Sequence, residues 1–189
     1  MNYAACWEYP SDITVEMVEI MDDIRIIQAG YEDIPRIAQV TAESWKAAYS
    51  GIIAEEYLAS LKPDRWIDSL KRDLNKSMKV LKVVKNEEVI GISGYGKSRH
   101  ENYKYDGEIV SMYFLPTCFG KGYGHLLMKR VLAELSNLGY SSVVLTTLAA
   151  NTRACSFYTK WGFSVVDAGI LPDLGGIAYE YQLLRRYLP

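Results

Sequence analysis

The chain has 189 residues, of which 49% are apolar, which is enough for one domain with a proper core or for one domain plus an extension. The formal net charge of −2 gives no reason to expect nucleic acid or an anionic membrane as a partner. No apolar run is long enough to span a bilayer, and the N-terminus lacks the features of a signal peptide. Cys6, Cys118 and Cys155 are odd in number and widely spaced, and none forms a metal-type pair with His100 or His125. We therefore expect a cytoplasmic protein without a disulfide framework or a metal site.

The first part of the chain combines one strand with several helices. Residues 1–22 are predicted to be an N-terminal extension, and residues 23–189 a single domain. Apolar residues at helical spacing predict one long helix, and two shorter amphipathic stretches follow it. The predicted elements are, in order, a strand at 24–29 and helices at 33–49, 54–61 and 63–76.

The second part of the chain is richer in strands. Two apolar stretches around the polar residues "NEE" predict a hairpin, and a glycine-rich turn separates the next strand from a long helix. The predicted elements are, in order, strands at 78–85, 89–98 and 108–115, a helix that ends near 138, a strand at 142–149, a helix at 152–161, and strands at 163–169 and 177–184. This order predicts an α/β fold with a mixed sheet covered by helices.

The glycine-rich turn holds three glycines in five residues, Gly120, Gly122 and Gly124, directly before the long helix. A helix N-terminus presents unpaired N–H groups and the positive end of the helix dipole, and glycines let the backbone come close to an anion. Lys121 adds a positive charge, and His125 lies in the first helical turn. The pattern favours a ligand that carries phosphate, although a tight turn without any ligand is the alternative.

Two common phosphate-binding patterns do not fit this turn. A P-loop requires G-x-x-x-x-G-K-[S/T], but Gly122 follows Lys121 where Ser or Thr is needed. A dinucleotide-binding turn requires G-x-G-x-x-G and an acidic residue at the end of the next strand, and neither is present. A nucleotide-binding oxidoreductase is therefore disfavoured.

A second block, "NTRACSFYTKWGF" at 151–163, together with "LPTCFGKGYG" at 115–124, resembles the GCN5-related N-acetyltransferase (GNAT) family. The resemblance implies a mixed, mostly antiparallel twisted sheet of about seven strands, flanked by helices, and a loop whose amides hold the diphosphate of coenzyme A. Phe119 departs from the family pattern, because Gln or Arg is usual at its position. The implied coenzyme-binding residues are Phe114, Phe119, Gly120, Lys121, Gly122, Tyr123, Gly124, His125, Asn151 and Ala154.

The resemblance also implies a reaction, the transfer of an acetyl group from acetyl-CoA to an amine. Tyr158 matches the tyrosine that protonates the departing thiolate, and Glu108 matches the carboxylate that some relatives use as the general base. Trp45 and Tyr49 share a helix face and are candidates for the acceptor pocket, although core packing is the alternative. The loop at 170–176, which contains Asp173, is a further candidate.

The predicted function is therefore an N-acetyltransferase that uses acetyl-CoA and no metal, and acts on a small primary amine or a peptide N-terminus by direct attack in a ternary complex. A non-catalytic acyl-CoA-binding module is the alternative. A homodimer is a further expectation, although no residue indicates it.

Overall fold

The computed structural model describes residues 24–75, 78–171 and 174–189. The predicted extension at 1–22 and Asp173 lie outside these ranges. The strands are β1 (Ile24–Gln28), β2 (Lys79–Lys85), β3 (Glu88–Lys97), β4 (Gly107–Phe114), β5 (Ser142–Leu148), β6 (Ser164–Leu171) and β7 (Tyr179–Tyr187). The α-helices are α1 (Ile34–Tyr49), α2 (Glu55–Ser60), α3 (Asp64–Asn75), α4 (Tyr123–Asn137) and α5 (Thr152–Lys160). Short 3-10 turns cover Tyr31–Asp33, Glu101–Tyr103 and Pro116–Cys118.

The seven described strands form one sheet in the order β1-β2-β3-β4-β5-β7-β6. Neighbours in this sheet are antiparallel except β4 and β5, which run parallel. The prediction of a mixed, mostly antiparallel sheet of about seven strands flanked by helices is therefore confirmed. None of the helices in the described ranges combines the length and the hydropathy needed to cross a bilayer.

Local signals in the sequence explain where the first elements begin and end. The Asp33 side chain accepts a hydrogen bond of 2.9 Å from the Gly30 amide just before α1 begins. Helix α1 ends before Gly51, whose φ of 72° suits a residue without a side chain. The turn between β2 and β3 consists of Asn86 and Glu87 at φ values of 47° and 63°, the left-handed conformation that two-residue hairpins require.

Helices cover both faces of the sheet. The apolar side of α4, including Leu127, Val131 and Leu135, packs on one face of the sheet. On the other face, Ile37 and Val40 of α1 pack against apolar residues of β2 and β3. Each face of the sheet therefore has its own apolar core, and β4 and β5 lie in the middle of the sheet.

One polar cluster joins three strands at the end of the sheet where β4 and β5 begin. Asp106, which is 4% exposed, accepts hydrogen bonds from Ser142 Oγ at 2.7 Å and from Arg185 Nη2 at 3.0 Å. Ser142 opens β5 and Arg185 belongs to β7. The cluster holds the central strands together at this end.

Candidate active site

The two central strands separate toward their C-terminal ends. The pairing of β4 with β5 runs from Gly107 to Ile109 and goes no further, whereas β4 continues to pair with β3 as far as Phe114. The edge of β4 that faces β5 therefore has no strand partner after Ile109. A backbone edge of this kind presents N–H and C=O groups that a ligand can pair with.

The glycine loop lies between the end of β4 and the start of α4. Gly120 and Gly122 have φ values of 75° and 80°, and Gly122 is the residue before the first turn of α4. The amides of Tyr123 and Gly124 have no acceptor within the helix, whereas the His125 amide donates to the Gly122 carbonyl oxygen at 3.0 Å. The glycines thus form a backbone cradle with exposed N–H groups, the arrangement that binds phosphate.

The glycine loop and the open edge of β4 border one cavity of about 430 Å³. Its walls come from the end of α1, from β4, from the glycine loop and the start of α4, from β5 and from α5. The lining residues are Ala48, Tyr49, Ile109, Val110, Ser111, Met112, Tyr113, Cys118, Phe119, Gly120, Gly122, Tyr123, Gly124, His125, Thr146, Thr147, Asn151, Arg153, Ala154, Phe157 and Tyr158.

Eight of the ten residues predicted to bind the coenzyme line this cavity. Lys121 is exposed and is not among the lining residues. The side chain of Phe114 packs on the core beside α4, while its carbonyl oxygen accepts a hydrogen bond from Ser44 Oγ. These two residues are therefore not brought to the cavity by their side chains.

Asn151 shapes the part of the wall that α5 contributes. It is the N-cap of α5, and its Oδ1 accepts a hydrogen bond of 3.1 Å from the Ala154 amide. The residue is 9% exposed and lines the cavity, so Asn151 both caps the helix and borders the site. The cap fixes the first turn of α5 and thereby the direction of the Tyr158 side chain further along the helix.

The ring of Tyr158 packs among aromatic residues. Its ring lies 5.5 Å from that of Phe157 and 6.0 Å from that of Phe163. Burial raises the pKa of Tyr158 well above its usual value, and the neighbouring Tyr113 raises it further. Tyr158 is therefore protonated at neutral pH and able to donate a hydrogen bond into the cavity.

Tyr49 and Trp45 differ in their relation to the cavity. Tyr49 lines it, and burial followed by the nearby Tyr113 and Tyr158 raises the pKa of Tyr49. Trp45 is not a lining residue, and its ring packs 4.8 Å from Tyr49 and 5.9 Å from Trp66. Trp45 thus packs against Tyr49 without lining the cavity itself.

Glu108 lies outside the main cavity and is held by Arg99. Its side chain is 2% exposed, and its Oε1 accepts a hydrogen bond of 2.8 Å from Arg99 Nη2. Its Oε2 accepts from the Arg99 amide at 2.8 Å and from Arg99 Nε at 3.1 Å. The Nε2 atom of His100 lies 3.7 Å from Oε1 and 3.2 Å from Thr146 Oγ1, so His100 connects Glu108 to a residue that lines the cavity.

A second, smaller cavity of about 230 Å³ lies on the Glu108 side. Val110 lines both cavities, so the two adjoin at β4. Three charged residues, Asp73, Lys97 and Arg99, contribute to the walls of the second cavity. The hydrogen bonds to Glu108 raise the pKa of Arg99, which keeps this guanidinium charged.

His125 is fixed by an aromatic neighbour. The indole Nε1 of Trp161 donates a hydrogen bond of 3.0 Å to His125 Nδ1, and the Phe157 ring packs 5.2 Å from the imidazole. Because Nδ1 accepts this bond, a neutral His125 carries its proton on Nε2. That N–H is available at the first turn of α4, beside the glycine loop.

The structure adds residues that the sequence did not single out. Tyr113 lines the main cavity, and burial raises its pKa. The guanidinium of Arg153 lies 3.9 Å above the centre of the Phe119 ring. Tyr113 follows the predicted strand pattern and Arg153 lies within the "NTRACSFY" block, but neither residue type marks a site until the fold brings α1, β4 and α5 together.

The cavity fits a coenzyme that carries a diphosphate. It offers backbone amides at the glycine loop, an imidazole N–H and a guanidinium, and no Asp or Glu is among the lining residues in the described ranges. An added Cβ at Gly120 would meet nothing within 4 Å, so the loop surface is open at this residue. The open edge of β4 leads from the loop toward Tyr158.

Comparisons with known proteins agree with this geometry. The model of the acetyltransferase (GNAT) family matches residues 38–163. The uncharacterized N-acetyltransferase YuaI of Bacillus subtilis (strain 168) is 32% identical over 130 residues, which cover 68% of this chain and 73% of that protein. A spermidine N(1)-acetyltransferase of Thermoplasma acidophilum is 25% identical over 150 residues, which cover 76% of this chain and 90% of that protein.

Solved structures show the same fold. The PaiA N-acetyltransferase of Thermoplasma acidophilum, in complex with coenzyme A, has a TM-score of 0.70 at 22% identity and covers 87% of this chain and 99% of its own. The ribosomal-protein-alanine N-acetyltransferase of Brucella melitensis has a TM-score of 0.69 at 17% identity, with 87% and 99% covered. The family match spans most of the chain, and the relatives in sequence are N-acetyltransferases. The chain therefore belongs to the GNAT family and is an acyl-CoA-dependent N-acetyltransferase.

Proposed function

We propose that the protein transfers the acetyl group of acetyl-CoA to the primary amine of a small molecule, by direct attack within a ternary complex. The observation that carries the proposal is the convergence of three features on one cavity. These are the unpaired edge of β4 after Ile109, the glycine cradle before α4 and the phenol of Tyr158. A non-catalytic binding module has little support, because the relatives that match in sequence are N-acetyltransferases.

We infer one orientation for acetyl-CoA in the cavity. The amides at Gly122 and the following turn of α4 bind the diphosphate, with help from the Nε2–H of His125. The arm of the coenzyme runs along the open edge of β4, where it takes the place of the missing strand. This placement brings the thioester between β4 and Tyr158, and the N–H groups of the β4 edge are then available to stabilise a developing oxyanion.

The acceptor amine must lose a proton before it attacks. An alkyl amine has a pKa of about 10.4, so roughly one molecule in a few thousand is neutral at pH 7. Glu108 remains our candidate for the base. Because Arg99 occupies most of its carboxylate, we infer that the proton reaches Glu108 Oε1 through His100 or a water molecule rather than by direct contact.

Tyr158 is our candidate for the group that interacts with the departing thiolate of the coenzyme. Its raised pKa keeps the phenol protonated, so a hydrogen bond to the thiolate is available as charge develops. A thiol has a pKa of about 8.5, so the phenol of Tyr158 is a weaker acid than the thiol of the coenzyme. The main contribution of Tyr158 is therefore a hydrogen bond that stabilises the departing thiolate, while Tyr158 keeps its proton and the thiolate is protonated by solvent.

The acceptor is proposed to enter from the second cavity. Its modest volume and its charged walls suit a small polar molecule, which would reach the main cavity past Val110, the residue that lines both. The similarity to a spermidine acetyltransferase supports an acceptor of low molecular mass. Cytoplasmic location and homodimerisation stay predictions from the sequence.

The experiment is a panel of amines with acetyl-CoA, in which the release of free CoA thiol is followed by a chromogenic disulfide. Polyamines, amino acids and a short peptide with a free N-terminus represent the acceptor classes. We expect one class of small amine to stimulate thiol release well above hydrolysis. Thiol release that no amine stimulates would contradict the proposed reaction, while stimulation by the peptide alone would move the acceptor to protein N-termini.

A further inference from the structure

The main cavity is poor in positive charge for a site that binds a diphosphate. Among its lining residues in the described ranges, Arg153 is the only lysine or arginine. Lys121, which lies in the glycine loop itself, is exposed and does not line the cavity. The amides of the loop are neutral donors, so Arg153 is the residue placed to balance the charge of an anionic ligand.

Arg153 is held in place by Phe119. The Cζ atom of the guanidinium lies 3.9 Å from the centre of the Phe119 ring, well within the range of a cation–π contact. Phe119 is half-buried beside Gly120, whereas Arg153 is the second residue of α5. The contact therefore connects the glycine loop to α5 across the mouth of the cavity.

The hydrogen-bond donors of Arg153 remain available. Within the described ranges this side chain forms no ion pair with a carboxylate, in contrast to Arg25, Arg99, Arg130 and Arg185. Stacking on a ring uses the face of the guanidinium and leaves its N–H groups in the plane free. A planar guanidinium of this kind matches two oxygens of a phosphate group.

We propose that Arg153, oriented by the ring of Phe119, binds a phosphate group of the coenzyme. The inference rests on the proposed function, because it assigns a further binding residue to the same site. Phe119 acts as a platform: its ring fixes the plane of the guanidinium, so that less side-chain freedom is lost when the phosphate binds. The diphosphate and the 3′-phosphate of coenzyme A share this chemistry.

The experiment is calorimetric titration of the full chain with CoA and with dephospho-CoA, which lacks the 3′-phosphate. We expect Arg153→Gln to raise the Kd for CoA about tenfold at low salt, the size of one charge-assisted hydrogen-bonded contact, and to flatten the salt dependence of Kd. Phe119→Leu keeps an apolar side chain without the ring, and we expect a rise in Kd of about threefold. Lys160→Gln is the control, because Lys160 is exposed on the same helix, does not line the cavity and carries the same charge.

The two ligands identify the phosphate that Arg153 binds. An equal loss of affinity for CoA and dephospho-CoA assigns the diphosphate, and a loss with CoA alone assigns the 3′-phosphate. A Kd for CoA in Arg153→Gln equal to that of Lys160→Gln would overturn the proposal, and an unchanged Kd in Phe119→Leu would remove the platform role. Absence of CoA binding in the unaltered protein would instead contradict the proposed function, so the two failures are distinguishable.

Discussion

Ile109 and Leu145 form the last paired position between β4 and β5. Beyond them β4 stays with β3 and β5 stays with β7, so the two parallel strands diverge toward the cavity. If the coenzyme pairs with the open edge of β4, amide exchange at residues 110–113 should slow when acetyl-CoA is added. Hydrogen-exchange mass spectrometry would measure this, with the paired residues 107–109 as the internal reference. Equal exchange with and without acetyl-CoA would argue against the use of this edge.

Replacement of Tyr158 by phenylalanine removes the hydroxyl and keeps the ring that packs on Phe157 and Phe163. We expect Tyr158→Phe to lower kcat about a hundredfold, the usual size of a lost hydrogen bond to a developing charge, while the Kd for acetyl-CoA changes by less than about threefold. Tyr105→Phe is a matched control, because Tyr105 is 85% exposed and remote from the cavity lining. A kcat for Tyr158→Phe equal to that of the control would exclude the proposed role.

Glu108 has two possible roles that the pH dependence separates. As a base it matters less when the amine is already neutral, and the neutral fraction of an alkyl amine rises about tenfold per pH unit below its pKa of about 10.4. We therefore expect Glu108→Gln to lower kcat/KM for the amine about a hundredfold at pH 7, with a deficit that shrinks toward pH 9. Steady-state rates across this range are the measurement.

If Glu108 serves only to hold Arg99, the outcome differs. Loss of either partner would then disturb the same contact, which consists of the Arg99 side chain and amide on the two carboxylate oxygens. Arg99→Gln would match Glu108→Gln in size, and both deficits would be independent of pH. That result would transfer the base role to another group.

Gly122 combines a left-handed φ of 80° with the position before α4, so a side chain there strains the backbone that forms the cradle. We expect Gly122→Ala to lower the free energy of unfolding by about 1–2 kcal/mol and to weaken CoA binding. Gly51→Ala is the control, since Gly51 has a φ of 72°, free space for a Cβ and no place in the cavity lining. We expect denaturation to show a similar loss of stability in both variants. Calorimetry should show a loss of CoA affinity in Gly122→Ala but not in Gly51→Ala. Equal CoA affinity in the two variants would contradict the role of the cradle.

Tyr95 gives the fold a defined alkaline limit. Burial is the main cause that raises the pKa of Tyr95 to about 12, and the Glu134 carboxylate is the second cause. A tyrosine in the unfolded chain has a pKa of about 10. Because the folded state holds this proton more tightly, its contribution is complete below pH 10 and is lost as the pH rises toward 12. We expect the urea midpoint to fall over this range, and to fall less in Tyr95→Phe. An identical decline in both proteins would assign the alkaline sensitivity to other groups.

The sequence predicts the parts of the site that depend on short stretches of chain. The glycine turn before α4 arises within a few residues, so the spacing of its glycines is a sufficient signal. The hairpin turn at 86–87 and the strand that ends at Phe114 are local in the same sense. For these elements the prediction and the structure agree to within one or two residues.

The remaining contacts join residues that are far apart in the sequence. Arg153 meets Phe119 because α5 packs beside the glycine loop, and no spacing rule gives that pairing. The prediction that Lys121 binds phosphate rests on charge and position alone; Lys121 is exposed and does not line the cavity, and its role stays a prediction. The hydrogen bonds between Arg99 and Glu108 could not be predicted from the sequence either, because they depend on the conformation of the turn between β3 and β4.

The cluster of Asp106, Ser142 and Arg185 has a consequence for how fast the coenzyme can enter. The cluster holds β4 and β5 together at the end where they pair. At the other end, β3 holds β4 and β7 holds β5, so that the two strands stay apart. The slot between β4 and β5 is thus created when the chain folds, and no hydrogen-bonded pair has to separate before a ligand inserts. Association should then be a single bimolecular step whose rate is set by diffusion and orientation, without a slow opening phase in rapid-mixing records.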